Sequence, residues 1–182
     1  ERDFVGTRLA VDGVGIVVNA DNPVRELPAD AWRDLFAGVK RDWPGYGGPN
    51  ANVTLLERPE GSAARGMLHG LLHIQQVRAD AEVMEGDGRM VARVAGDVGT
   101  IGYGSIAMIE AAIRQGAGVR LLPLERVQAG MTTVTDGSYP LRVVLSLATA
   151  RTPKTPTRDL MTYVRSGTGL SLLRAHGYTP TT

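Results

Sequence analysis

The sequence predicts an α/β layer fold, and three observations carry that prediction. Runs of β-branched and aliphatic residues alternate along the chain with amphipathic helical patterns. Twenty-three glycines, nearly twice the usual share of about 7%, stand between those runs and follow no Gly-X-Y period, which excludes collagen. The 182 residues are 43% hydrophobic and 21% charged, a balance that excludes wholesale disorder and suits one domain or two small ones with a buried core.

Taken in order, Thr7 to Asn19 (TRLAVDGVGIVVN) reads as a strand, a bend or crossing at Asp12-Gly13, and a second strand. Leu27 to Gly38 is an amphipathic helix with Ala31, Trp32 and Leu35 on one face, Pro28 near its start and Gly38 beyond its last turn. Val39 to Asn52 is a Gly/Pro/Asn-rich loop that Trp43 and Tyr46 are expected to brace. Val53 to Glu57 is a strand, and Gly61-Ser62 opens a helix running to about His73. A second cycle follows: a short strand at Ala81 to Met84, a helix at Asp87 to Ala95, a turn at Gly96 to Gly99 and a strand at Thr100 to Tyr103. A helix from Ser105 to Gln115 then leads into a strand at Val119 to Leu122. Leu124 to Gly137 reads as a loop with one short helical piece, and Leu141 to Thr149 as a strand. Thr152 to Thr157 is a linker before helices at Arg158 to Arg165 and Leu170 to Ala175.

Charge and composition exclude several function classes. Twenty Lys+Arg against nineteen Asp+Glu leave a net charge of +1, so there is no global field for nucleic acid and no nucleic-acid partner is expected. An anion must be held by local geometry instead. No run of 18 apolar residues marks a membrane-spanning helix. Zero cysteines rule out disulfides and thiolate metal sites without assigning a compartment. The sequence opens on Glu1 without a Met or a leader pattern, as expected of a mature or trimmed product.

The stretch Glu57-Arg58-Pro59-Glu60-Gly61-Ser62-Ala63-Ala64-Arg65 lies between a strand and a helix. A helix N-terminus presents unpaired N–H groups and the positive end of the helix dipole, which suits an anion. Ser62 stands at the N-cap, Ala63 and Ala64 offer backbone N–H groups, and Gly61 allows close backbone approach. Arg58 supplies a fork-shaped guanidinium for an oxyanion, with Glu60 as the carboxylate to orient it. On spacing alone a plainer alternative stands beside this one: Ser62 caps the helix and Arg58 pairs with Glu60 on the surface. The stretch is neither a Walker loop nor a dinucleotide fingerprint.

Several segments together resemble the phosphate-binding protein of bacterial ABC transporters, a type 2 periplasmic binding protein. AVDGVGIVVNADNPV (Ala10 to Val24) is similar to the strand entering that family's second lobe, and LPADAWRDLFAG to the helix after it. DWPGYGGPN (Asp42 to Asn50) resembles its Trp-and-Gly loop, and ERPEGSAAR its Arg-x-x-Gly-Ser-Gly-Thr-Arg anion loop. VARVAGDVGTIGY (Val91 to Tyr103) resembles the helix-turn-strand that follows. GSYPLRVVLSLAT (Gly137 to Thr149) resembles the returning strand, and SGTGLSLLRAHGYTP (Ser166 to Pro180) the C-terminal helix and tail. The order of these motifs over residues 10 to 180 carries the resemblance.

The resemblance implies a mixed sheet flanked by helices, with residues 1–140 forming a second-lobe-like domain and residues 141–182 returning to the first lobe. It implies a periplasmic or cell-surface, non-enzymatic role: binding phosphate or a similar tetrahedral oxyanion and delivering it to an ABC permease, without a cofactor. Carried over by position, the ligand-binding residues are Arg58, Glu60, Gly61, Ser62, Ala63, Ala64 and Arg65. Two departures stand out. Ala63-Ala64 replaces the family's Gly-Thr, removing a hydroxyl whose hydrogen bond to a charged group is worth about 1.5–3 kcal/mol. The family's first-lobe N-terminal segment also has no counterpart here, so the cleft is expected to be completed by a missing first lobe or a second copy. The alternative is an orphan or partner-completed lobe that acts as an interaction module without a transport ligand.

Other chemistry-bearing residues suggest less. His69 and His73 are spaced to share a helix face, but no third ligand is placed by spacing, so no metal site is expected. Asp12 at the crossing suits a hinge or turn. Ser62 has no His/Asp partner indicated beside it, which leaves a hydrolase unsupported.

Overall fold

The computed structural model describes residues 3–181. Its organising element is β1 (Phe4–Asn19), one strand of 16 residues that belongs to two sheets. From Phe4 to Gly13 it pairs antiparallel with β6 (Arg142–Ala150), and at Ala10 and Val11 with β7 (Thr179–Pro180). From Val14 to Asn19 it lies antiparallel between β4 (Thr100–Ser105) and β5 (Val119–Leu122). β2 (Thr54–Glu57) runs parallel to β4 and to the two-residue β3 (Glu82–Val83), giving the order β3-β2-β4-β1-β5. The sheet is therefore mixed, as the resemblance implies.

Of the bend or crossing expected at Asp12-Gly13, the crossing forms, without a break in the strand. β1 is continuous there and changes partners between Gly13, opposite Arg142, and Val14, opposite Ser105; its one irregularity of register lies earlier, between Arg8 and Ala10. Ladder bonds on both flanks keep the strand extended where turn chemistry alone would bend it. Gly13 serves close packing instead: a Cβ there would lie 2.7 Å from Val134 Cγ2 and 2.8 Å from Ile106 Cδ1.

The helices follow the expected order: α1 (Ala29–Ala37), α2 (Ala63–Leu72), α3 (Asp87–Ala95), α4 (Ile106–Arg114), α5 (Met131–Asp136), α6 (Thr155–Arg165) and α7 (Gly167–Ala175). α1 starts after Pro28, whose extended ψ of 160° keeps it outside the helix. β4 runs beyond Tyr103 because Gly104 and Ser105 still pair with Gly15 and Val14. α6 starts ahead of the expected Arg158, with a proline in its first turn.

The core forms around the second half of β1. Ile16, Val17 and Val18 pack with Trp32, Leu35, Phe36, Leu55, Leu56, Met90 and Tyr103, all fully buried. Trp43 is buried too, and its indole N–H donates to the Gly99 carbonyl at 2.8 Å, which braces the Gly-rich loop. The outer sheet is thinner. β6 alternates exposed and half-buried residues, α6 buries none, and Leu160, Tyr163 and Leu172 are exposed. Gly169 lets α7 meet the end of α6, since a Cβ there would lie 2.4 Å from the carbonyl oxygens of Tyr163 and Val164. Backbone cannot yield as a side chain can, so Gly169→Ala is expected to cost about 1–3 kcal/mol. Thermal denaturation should show a midpoint lower by roughly 3–10 °C; an unchanged midpoint would refute the close contact.

Candidate anion-binding site

The site begins where β2 ends. Glu57 is 2% exposed, and both of its oxygens are engaged. Oε1 accepts from the backbone N–H of Arg58 at 2.7 Å and from the Tyr103 hydroxyl. Oε2 faces His69 Nε2 at 2.9 Å; a carboxylate has only acceptors, so that ring nitrogen carries the proton. Burial, and then the Glu57 carboxylate, push the Tyr103 phenol far above its ordinary range. Tyr103 and His69 both also pack against the Phe36 ring.

Arg58 follows and is itself buried, at 6% exposure. Its Nε donates to the Tyr103 carbonyl at 3.2 Å, and its Nη2 forms an ion pair with Asp87 Oδ1 in the first turn of α3. Arg65 reaches back from α2 to donate to the Arg58 carbonyl at 3.1 Å. Arg65 and His69 stand four apart on α2, so they tie one face of that helix to the end of β2.

The loop turns at Gly61, and Ser62 takes an extended N-cap conformation before α2. Its hydroxyl makes no capping bond. The first intrahelical bond runs from Gly66 N to Ser62 O at 3.0 Å, so the N–H groups of Ala63, Ala64 and Arg65 have no intrahelical acceptor. A strand-end arginine whose carbonyl is tied to α2 by Arg65, and the uncapped start of that helix, each offer donors of the kind that suit a tetrahedral oxyanion.

One expected role is corrected. Glu60 is exposed and does not orient Arg58; Asp87 and the Tyr103 carbonyl do. The alternative of a surface Arg58–Glu60 pair over a Ser62-capped helix fails with it, because Arg58 is buried and the Ser62 hydroxyl is not used in capping. Arg58 turns inward because β4 lies alongside β2 and offers a carbonyl acceptor, while Asp87 stands at the start of the next helix. Gly61, Ser62, Ala63, Ala64 and Arg65 fall together on the loop and first turn. His69 is committed to Glu57, and His73 lies past the end of α2 as its exposed, left-handed cap. Among the described residues, no group of three or more His, Cys, Asp or Glu is arranged to hold a metal ion. Sequence reasoning missed Asp87 and Tyr103; an acid opening a helix after Gly86 is a visible signal, but it does not say which cation it meets.

With the fold and the geometry of this loop in view, the class is clear. Residues 1–166 match the family model described as a PBP superfamily domain, and the chain belongs to that superfamily. Its α/β architecture is that of a type 2 periplasmic-binding-protein lobe. It is 24% identical over 185 residues to the phosphate-binding protein PstS of Bacillus subtilis (strain 168), an alignment covering 98% of this chain and 58% of that relative. The chain thus spans little more than half the length of that curated relative. Among solved structures, a candidate phosphate ABC transporter substrate-binding protein with bound phosphate from Clostridium perfringens superposes with a TM-score of 0.84 at 19% identity, covering 98% of this chain and 72% of the other. An ABC-type phosphate transport receptor from Vibrio cholerae superposes with a TM-score of 0.73 at 20% identity, covering 100% of this chain and 74% of the other. At such identities the structural likeness is one of fold.

Proposed function

We propose that this chain binds phosphate or a similar tetrahedral oxyanion as the solute-binding component of an ABC transporter, in the periplasm or at the cell surface. The observation that carries the reading is the buried Arg58, held by Asp87 and the Tyr103 carbonyl, beside a helix start whose serine hydroxyl is unspent. In this reading Arg58 is the charged donor and Ser62 gives its hydroxyl. Ala63, Ala64 and Arg65 give backbone N–H groups, Gly61 keeps the approach open, and Glu60 stands on the exposed rim. The names of the relatives support phosphate as the first anion to test. An ABC permease is the partner in this reading.

A partner-completed lobe is the second reading, favoured by the outer sheet. Leu160, Tyr163 and Leu172 are exposed, and Tyr163, Leu172, Leu173 and Tyr178 line an apolar hollow. A first-lobe segment, or a second copy of the chain, would cover that surface and supply the other wall of the cleft. No helix among the described residues is long and apolar enough to cross a membrane.

Calorimetric titration with phosphate, molybdate and sulfate tests both readings. Phosphate is expected to give heat with the wild-type chain and to bind about ten- to a hundredfold more weakly to Arg58→Ala, the loss of a hydrogen bond to a charged partner. No heat at millimolar phosphate would end the transport-receptor reading for this chain alone and leave the interaction-module reading.

A further inference from the structure

We infer that Ser105 and Asp12 are positioning residues for the anion site, holding Asp87, and through it the Arg58 guanidinium, to the point where β1 passes from one sheet to the other. The inference takes Arg58 as the anion ligand proposed above and adds what keeps it in place. Asp87 Oδ1, the oxygen paired with Arg58, also accepts from the Ser105 backbone N–H at 3.1 Å. Ser105 is the last residue of β4 and sits opposite Val14, the first residue of β1 in the inner sheet. Its hydroxyl donates to Asp12 Oδ2 at 2.6 Å while its Oγ accepts from Met108 N at 3.1 Å, capping α4. Asp12 Oδ1 accepts from Gly13 N at 2.7 Å and from Ala107 N at 3.1 Å.

Ser105 therefore stands between two carboxylates and satisfies both, Asp87 with its N–H and Asp12 with its O–H. Asp12 is 5% exposed. Burial, with a smaller contribution from the Asp87 charge, holds its carboxyl above the usual range against the opposing pull of Ser105, Ala107 and Gly13. Without the Ser105 hydroxyl, Asp12 would keep a buried lone pair unsatisfied and the β4–α4 junction would lose its cap. That junction carries the N–H that helps to hold Asp87 against Arg58. An anion arriving at Arg58 adds another negative charge beside Asp87, so affinity depends on how firmly this arrangement is set beforehand.

The test reads Arg58 itself. Hydrogen exchange of the Arg58 Nε–H, bonded to the Tyr103 carbonyl, is followed by nitrogen-15 NMR in the absence of anion, with the buried Trp43 Nε1–H as the control for general loosening. Phosphate is then titrated into the same samples. Ser105→Ala removes the hydroxyl and keeps the N–H to Asp87. It is expected to speed Arg58 exchange about fivefold to tenfold with Trp43 unchanged, and to weaken phosphate by a similar factor. Ser105→Thr should restore both. Asp12→Asn keeps an acceptor for Gly13 and Ala107 but turns an amide donor toward Ser105, and it should speed Arg58 exchange even if Ser105→Ala folds poorly. Arg58 exchange at the wild-type rate in Ser105→Ala and Asp12→Asn, or a parallel rise at Trp43, overturns the inference whatever the titration shows. Arg58 exchange that follows the hydroxyl in a chain giving no phosphate heat upholds the inference and sinks the anion reading alone.

Discussion

Gly104→Ala is expected to destabilise the protein by about 2–3 kcal/mol and to weaken phosphate by up to the ten- to a hundredfold expected of Arg58→Ala. The new methyl would lie 2.2 Å from Asp87 Oδ1 and 2.6 Å from Arg58 Nη2. The ion pair is thus built over the one backbone position in β4 that leaves it room, and no flexible side-chain end is available to move without breaking it. Parting a fully buried pair costs about 3–5 kcal/mol. The Asp87 side chain is 27% exposed, so water recovers part of that cost and the lower figure follows. The melting midpoint should fall by roughly 4–12 °C as Arg58 loses its ion pair with Asp87. Wild-type stability together with wild-type phosphate heat would show that the guanidinium does not occupy this place.

The second large effect belongs to Glu57→Leu. Leucine is close to glutamate in size, but it abandons the Tyr103 hydroxyl, the Arg58 backbone N–H and the His69 Nε2–H together. A buried donor left without its acceptor costs about 1–3 kcal/mol, so a loss of about 3 kcal/mol or more is expected even after the relief of removing a buried carboxylate. The Arg58 backbone N–H would be left with only its longer 3.3 Å bond to the Tyr103 hydroxyl, and phosphate affinity should fall with stability. Glu57→Gln keeps one acceptor oxygen and should cost less than half as much in urea denaturation. If Gln cost as much as Leu, the charge of Glu57, and not its acceptor oxygens, would be what holds the strand end.

Much of the molecule was legible because the rules that act within a few residues were obeyed. α3 runs from Asp87 to Ala95 and β5 from Val119 to Leu122, as the glycines flanking them indicate. The loop from Arg58 to Arg65 was legible as a strand-to-helix turn for the same reason: strand, glycine, serine and helix follow one another directly in the chain. Local reasoning failed where neighbours in sequence were mistaken for neighbours in space. Glu60, two residues from Arg58, was its expected partner, yet the partner is Asp87, 29 residues away. His69 and His73 are spaced to share a helix face without a metal site being expected of them; His69 is taken up by Glu57 and His73 caps the helix. At Asp12-Gly13 the bend is not made, but the crossing is: the strand passes between sheets there while the Asp12 carboxylate bonds a serine 93 residues on.

The sequence by itself determined an α/β chain of the PBP superfamily and the order of its elements, and it pointed to the strand-to-helix loop proposed above for an anion. Its glycines marked most of the turns. Only the tertiary structure decided what holds Arg58 and why several glycines are needed at all. Strand order sets both. By placing β4 between β2 and β1, the sheet brings the end of β2, the start of α3 and the β4–α4 junction to one point. Propensity, capping and periodicity act over about one helical turn of chain, whereas the pairing of a buried charge is settled by which distant segments the sheet makes adjacent.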